Sequence, residues 1–179
     1  ALLAGVAVNG DGEAEASMGV TAEDFDRDCH TDLFITHLAA ETNTLYRGAG
    51  DGWFSDATNV HGLGLASTPF TGFGTRWLDF DNDGDLDVFV SDAQGGHETY
   101  AFLNNGSGSF TQSIIDNTNS LVLSNITDID SDGDLDLLFT SYSEDKVSWR
   151  ANNGNATFGD QIIITSSLNG AGSVKGVDI

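Results

Sequence analysis

The chain has 179 residues and a formal net charge of −22, with 28 Asp and Glu against six Lys and Arg. So few basic residues exclude a nucleic-acid footprint, which needs a basic face, and disfavour binding to an anionic membrane surface. A single cysteine, Cys29, excludes an intrachain disulfide, and no apolar run reaches bilayer-spanning length.

Strong acidity alone is compatible with disorder. Against that, 39% of the residues are apolar, eleven are Phe, and the apolar residues recur in short clusters. The acid therefore belongs to an ordered chain, and ordered carboxylates held close together need a cation. One proline and 22 glycines suit many short strands joined by tight turns.

The N-terminal stretch Ala1 to Val8 is apolar but has no basic segment before it. It reads as a strand remnant of a preceding unit, spanning residues 1–16, rather than as a signal peptide. Three acidic segments then align: DFDRDCHTDLFIT from Asp24, DFDNDGDLDVFVS from Asp79 and DIDSDGDLDLLFT from Asp128. Their spacing is 55 and 49 residues. An apolar run follows each loop, and about 22 residues after each first aspartate stands an aromatic: Tyr46, Phe102 or Trp149. A Gly/Asn-rich turn comes next, and Phe54, Phe110 or Phe158 reopens the chain. Each unit thus reads as strand, acidic loop, strand, link, strand, glycine turn, strand. No segment has a convincing helical period. Four strands per unit of this length is the pattern of propeller blades. The predicted architecture is an all-β, partial β-propeller over 1–179, with blades at 17–69, 70–120 and 121–171. Residues 172–179 would be the first strand of a next blade, with Asp178 as its first aspartate.

Carboxylates stand at positions one, three, five and nine of each loop. They are Asp24, Asp26, Asp28 and Asp32; Asp79, Asp81, Asp83 and Asp87; and Asp128, Asp130, Asp132 and Asp136. Alternate spacing lets a curled loop turn several oxygens to one centre. The position-seven residues His30, Asp85 and Asp134 can add backbone carbonyls. A cage of six or more hard oxygens suits calcium, about three ions in all, whereas magnesium asks for a stricter octahedron. No His/Cys pattern supports zinc. An EF-hand needs a bidentate Glu at position twelve and flanking helices; here that position is Ile35, Val90 or Phe139, within an apolar strand. The bland alternative, a solvated acidic turn, weakens because the motif recurs in register with the repeat.

The loops are unequal. Position six is Gly84 and Gly133, where a sharp turn calls for positive φ, but Cys29 in the first loop. The first site is therefore expected to be the weakest, or bent. Cys29 and His30 could also be read as soft-metal ligands or a nucleophile pair, but no third partner is evident.

The loop segments resemble the FG-GAP/VCBS repeats of integrin-α-type propellers. The stretch from Met18 to Thr58, with GLGLASTPFTGFGTRWLDFDNDGDLDVFV, resembles more closely the ASPIC/UnbV and cartilage-acidic-protein group, over about residues 1–95. The resemblance implies a β-propeller with calcium in the loop joining the first two strands of each blade, a secreted or surface location, and a binding role. It also implies that further blades or self-association complete a ring.

Three functions remain. The first is a non-catalytic extracellular module binding protein or glycan, with no nucleic-acid partner and no membrane insertion. The second is an accessory propeller of a polysaccharide-degrading enzyme. The third is a purely structural part of a large surface protein. His30, His37, His61 and His97 form no recognisable catalytic motif, which favours the first. Trp149 reads as core. Trp53, beside a glycine turn, is the best candidate for an exposed platform.

Overall fold

The computed structural model describes residues 4–92, 99–116, 122–170 and 172–175. His97 and Asp178 lie outside the described residues. Among the described residues, twelve strands form three four-stranded sheets, each in simple chain order and antiparallel throughout. The first sheet holds β1 (Gly19–Glu23), β2 (Asp32–Thr36), β3 (Thr44–Gly48) and β4 (Phe54–Asp56). The second holds β5 (Gly72–Leu78), β6 (Asp87–Asp92), β7 (Thr99–Asn104) and β8 (Phe110–Asp116). The third holds β9 (Val122–Thr127), β10 (Asp136–Ser141), β11 (Lys146–Arg150) and β12 (Ile162–Thr165). One short helix, α1 (Gly64–Ser67), links the first two sheets. Among the described residues no helix is long and apolar enough to cross a membrane.

These are propeller-like blades, and the pleat explains how they stack. Successive side chains on a strand point to opposite faces. Val88 and Val90 on β6, with Tyr100 and Phe102 on β7, pack against Phe34 and Leu45 of the first blade. Phe89 and Ala101, one residue out of phase, pack against Leu137 and Phe139 of the third. The second blade is therefore buried on both faces, as the unbroken apolar run of β6 predicts. β2 differs: Phe34 is buried, while Leu33 and Ile35 are only half-buried.

Aromatic rings fill the gaps between blades. Phe25 stacks on Trp77 with centroids 5.5 Å apart, and Phe80 meets Phe158 at 5.3 Å. Phe25, Trp77 and Phe80 are buried and Phe158 partly so, and burial of such rings supplies much of the drive to stack.

Residues 4–17 carry no strand. They form a turn about Asn9 that folds onto the first blade, where Tyr46 Oη donates to the Val8 carbonyl at 2.9 Å and Gly10 N–H to Asp56 at 2.6 Å. The described residues 172–175 carry no strand, and the rest of the predicted strand at 172–179 lies outside the described residues. In addition, Trp149 is not the counterpart of Tyr46 and Phe102. It pairs with Leu138, as Ala101 pairs with Phe89, while Arg150 pairs with Leu137, as Phe102 does with Val88. Trp149 therefore lies on the opposite face, partly buried against Leu138 and Val147. Counting from the acidic loop cannot see this one-residue offset, because only the cross-strand register sets the face.

Candidate metal centres

Each acidic loop joins the first and second strands of its blade. In all three, the carboxylates of positions one, three and nine converge: Asp24, Asp26 and Asp32; Asp79, Asp81 and Asp87; Asp128, Asp130 and Asp136. Within each trio one oxygen per residue lies within 4.8 Å of the others. The position-five carboxylates Asp28, Asp83 and Asp132 stand outside the trios. Their Oδ1 atoms each accept the position-seven N–H, of His30, Asp85 or Asp134, at 2.9 Å.

The backbone curls the same way each time. The position-six N–H donates to the position-one carboxylate: Cys29 to Asp24 at 2.9 Å, Gly84 to Asp79 at 3.0 Å and Gly133 to Asp128 at 3.1 Å. Position six is left-handed throughout, with φ of 69° at Cys29, 91° at Gly84 and 99° at Gly133. The first loop is thus not bent. It holds the shared turn with a residue that has a Cβ, a conformation costing on the order of 1–2 kcal/mol. Position four is left-handed as well, at Arg27, Asn82 and Ser131. No glycine marks it in the sequence.

The position-nine aspartates have a second role. All three are fully buried. One oxygen accepts the N–H of position two: Phe25 at 3.3 Å, Phe80 at 2.9 Å and Ile129 at 2.7 Å. The other accepts an N–H at or just past the end of the third strand: Gly48 at 2.9 Å, Asn104 at 2.7 Å and Asn152 at 2.9 Å. Each aspartate staples the loop to its own sheet. Burial pushes the Asp87 carboxyl up to about 7 and raises that of Asp32, despite the amides that favour the charge.

The donor set fits a hard cation. Asp79 Oδ1 is shielded from solvent and has no hydrogen-bond partner, the kind of unsatisfied buried oxygen that calls for a ligand. Partial shielding, and then the neighbouring carboxylates, raise the carboxyls of Asp81 and Asp130. A bound divalent ion would relieve both effects.

A family model for the FG-GAP-like repeat matches residues 24–90 and 128–179. The chain belongs to this repeat family. No curated protein matches it. The matched FG-GAP-like segments include all three aspartate trios.

Neighbouring FG-GAP-like loops touch by a repeating rule. The position-four side chain of one loop reaches position seven of the next. Arg27 lies 3.4 Å from Asp85 and also donates to the Gly84 carbonyl, and Asn82 donates to Asp134. Behind position seven sits a turn glycine of the same blade. A Cβ on Gly50, Gly106 or Gly154 would come within 2.1, 2.4 or 2.9 Å of His30, Asp85 or Asp134.

The first loop is chemically distinct. Arg47 on β3 lies 2.7 Å from Asp26 Oδ2 and 3.0 Å from Asp28 Oδ2, and the His30 ring is 3.2 Å from Asp28. Burial opposes the charge on Asp28, but the hydrogen bonds from His30 and the charges of His30 and Arg47 hold its carboxyl below the usual value.

The remaining candidates are dispersed. His37 is buried beside Glu15 at 3.4 Å, and His61 contacts the Gly108 carbonyl. Cys29 is exposed. Trp77 is core, whereas Trp53 is 54% exposed. Trp53 borders a cleft of about 300 Å³ that also includes Cys29 and His30.

Proposed function

We propose that this chain is a calcium-binding, non-catalytic propeller module that works outside the cell by binding a protein or glycan. The observation that carries the calcium reading is the aspartate trio, built three times with oxygens within 4.8 Å. In each loop the position-one, -three and -nine carboxylates would hold the ion. The position-five carboxylates and the carbonyls of His30, Asp85 and Asp134 would complete an oxygen cage of the kind calcium takes. Calcium would supply charge neutralisation and loop rigidity.

Oxygen-rich loops fill readily at extracellular calcium levels, which supports the extracellular placement. A binding role is supported by the engagement of the clustered carboxylates in the loops, where they serve the turns and the trios rather than acid–base chemistry. Trp53, exposed beside its cleft, is the residue on which a sugar face would stack.

Thermal melting tests the metal reading. Calcium at 100 times its dissociation constant stabilises by about 2.7 kcal/mol per site, so a chelator should lower the melting temperature clearly. An unchanged curve refutes the reading. A glycan array in calcium, with Trp53→Ala as control, tests the binding surface: signal lost in the variant supports it, and signal retained removes Trp53.

A further inference from the structure

Arg47 gives the first loop an internal cation. Its guanidinium bridges Asp26, a member of the trio, and Asp28 beside it. The backbone register identifies the counterparts of Arg47. The position-nine carboxylate binds Gly48, Asn104 and Asn152 in the three blades, so the residue before each is equivalent: Arg47, Leu103 and Ala151. Neither counterpart carries charge. Arg47 thus engages two carboxylates of the first loop from a strand position that the uncharged Leu103 and Ala151 occupy in the other two blades.

We propose that Arg47 sets the affinity of the first site, so that this loop fills last. The proposal rests on the calcium reading above. A guanidinium at hydrogen-bonding distance makes charge-assisted bonds to carboxylates. Calcium would compete with Arg47 for these two carboxylates, Asp26 as a member of the trio and Asp28 beside it. The side chain is 45% exposed and borders a cleft of about 430 Å³ between the first two blades, which gives it room to withdraw. This effect is separate from the left-handed strain at Cys29, because it acts on the ligand oxygens and not on the turn.

The test is a calcium titration of the full chain by two-dimensional amide NMR. The Cys29, Gly84 and Gly133 amides each donate to the first carboxylate of their own loop and report the three sites separately. In the natural chain, Gly84 and Gly133 should respond at lower calcium than Cys29. Arg47→Leu, which copies Leu103, should move the Cys29 transition roughly three- to tenfold lower in calcium and leave the other two in place. Arg47→Gln carries the same expectation if the leucine variant folds poorly. Both variants should lower the melting temperature without calcium more than with it, whereas a merely structural arginine would lower both equally. A Cys29 transition that neither variant moves overturns the proposal while Gly84 and Gly133 still titrate. If no amide responds to calcium, the calcium reading fails and the proposal falls with it.

Discussion

The Asp87 carboxylate accepts the Asn104 backbone N–H at 2.7 Å, across the sheet from the loop to which it belongs. Its other oxygen takes the Phe80 N–H at 2.9 Å. Position nine is therefore a staple even without a metal, whereas position one closes only its own turn. Replacing a staple strands two buried amides, at about 1–3 kcal/mol each. In calcium-free protein, Asp136→Ala should lower stability by about 2–5 kcal/mol, and Asp128→Asn by much less. Urea denaturation of the two variants in chelator checks this, and equal losses would assign position nine to metal binding alone.

Asp87 also sets a pH dependence. Its carboxyl is held near 7 in the folded chain against an ordinary 3.8. Between those values the folded state keeps a proton that the unfolded state has lost. The contribution to stability is thus fully present below about pH 4 and lost as pH rises through about 7, and Asp32 acts in the same direction. In chelator, Asp87→Asn should flatten part of the fall in melting temperature between pH 4 and 7. With calcium the trend should reverse, since protonation expels the ion.

The left-handed turn makes opposite demands at equivalent positions. A Cβ on Gly133 would meet nothing within 4 Å, so Gly133→Ala isolates the backbone effect. It should destabilise by about 1–2 kcal/mol. Cys29→Gly, at φ 69°, should be neutral or stabilising by up to about 1 kcal/mol, as strain relief is partly offset by a freer unfolded chain. Chemical denaturation of both variants in chelator measures each change.

The blade faces make a further prediction. Phe89 and Phe102 belong to one sheet but fill different gaps. Truncating either to Ala should cost about 3–5 kcal/mol. The damage should be local: hydrogen exchange should rise first in the third blade for Phe89→Ala and in the first blade for Phe102→Ala. Identical exchange patterns would contradict separate inter-blade cores.

Much of this was legible in the sequence. Alternate aspartates mark the loops, Gly84 and Gly133 mark the left-handed turn, and the runs around Phe89 and Phe139 mark buried strands. What was hidden depends on partners distant in sequence. The staple needs Asn104, 17 residues beyond Asp87, and Arg47 meets Asp28 from 19 residues away. The link from Asn82 to Asp134 crosses 52 residues. The left-handed residues at position four carry no glycine, because the surrounding loop imposes their conformation. The offset of Trp149 exists only in strand register, to which spacing along the chain is blind.

The most direct measurement of the central claim is the calcium stoichiometry of the full chain by isothermal titration calorimetry. Three aspartate trios predict three ions per chain, falling to two when Asp79 and Asp81 are both changed to Asn. Absence of calcium binding, or a stoichiometry unchanged by that double substitution, would contradict the account.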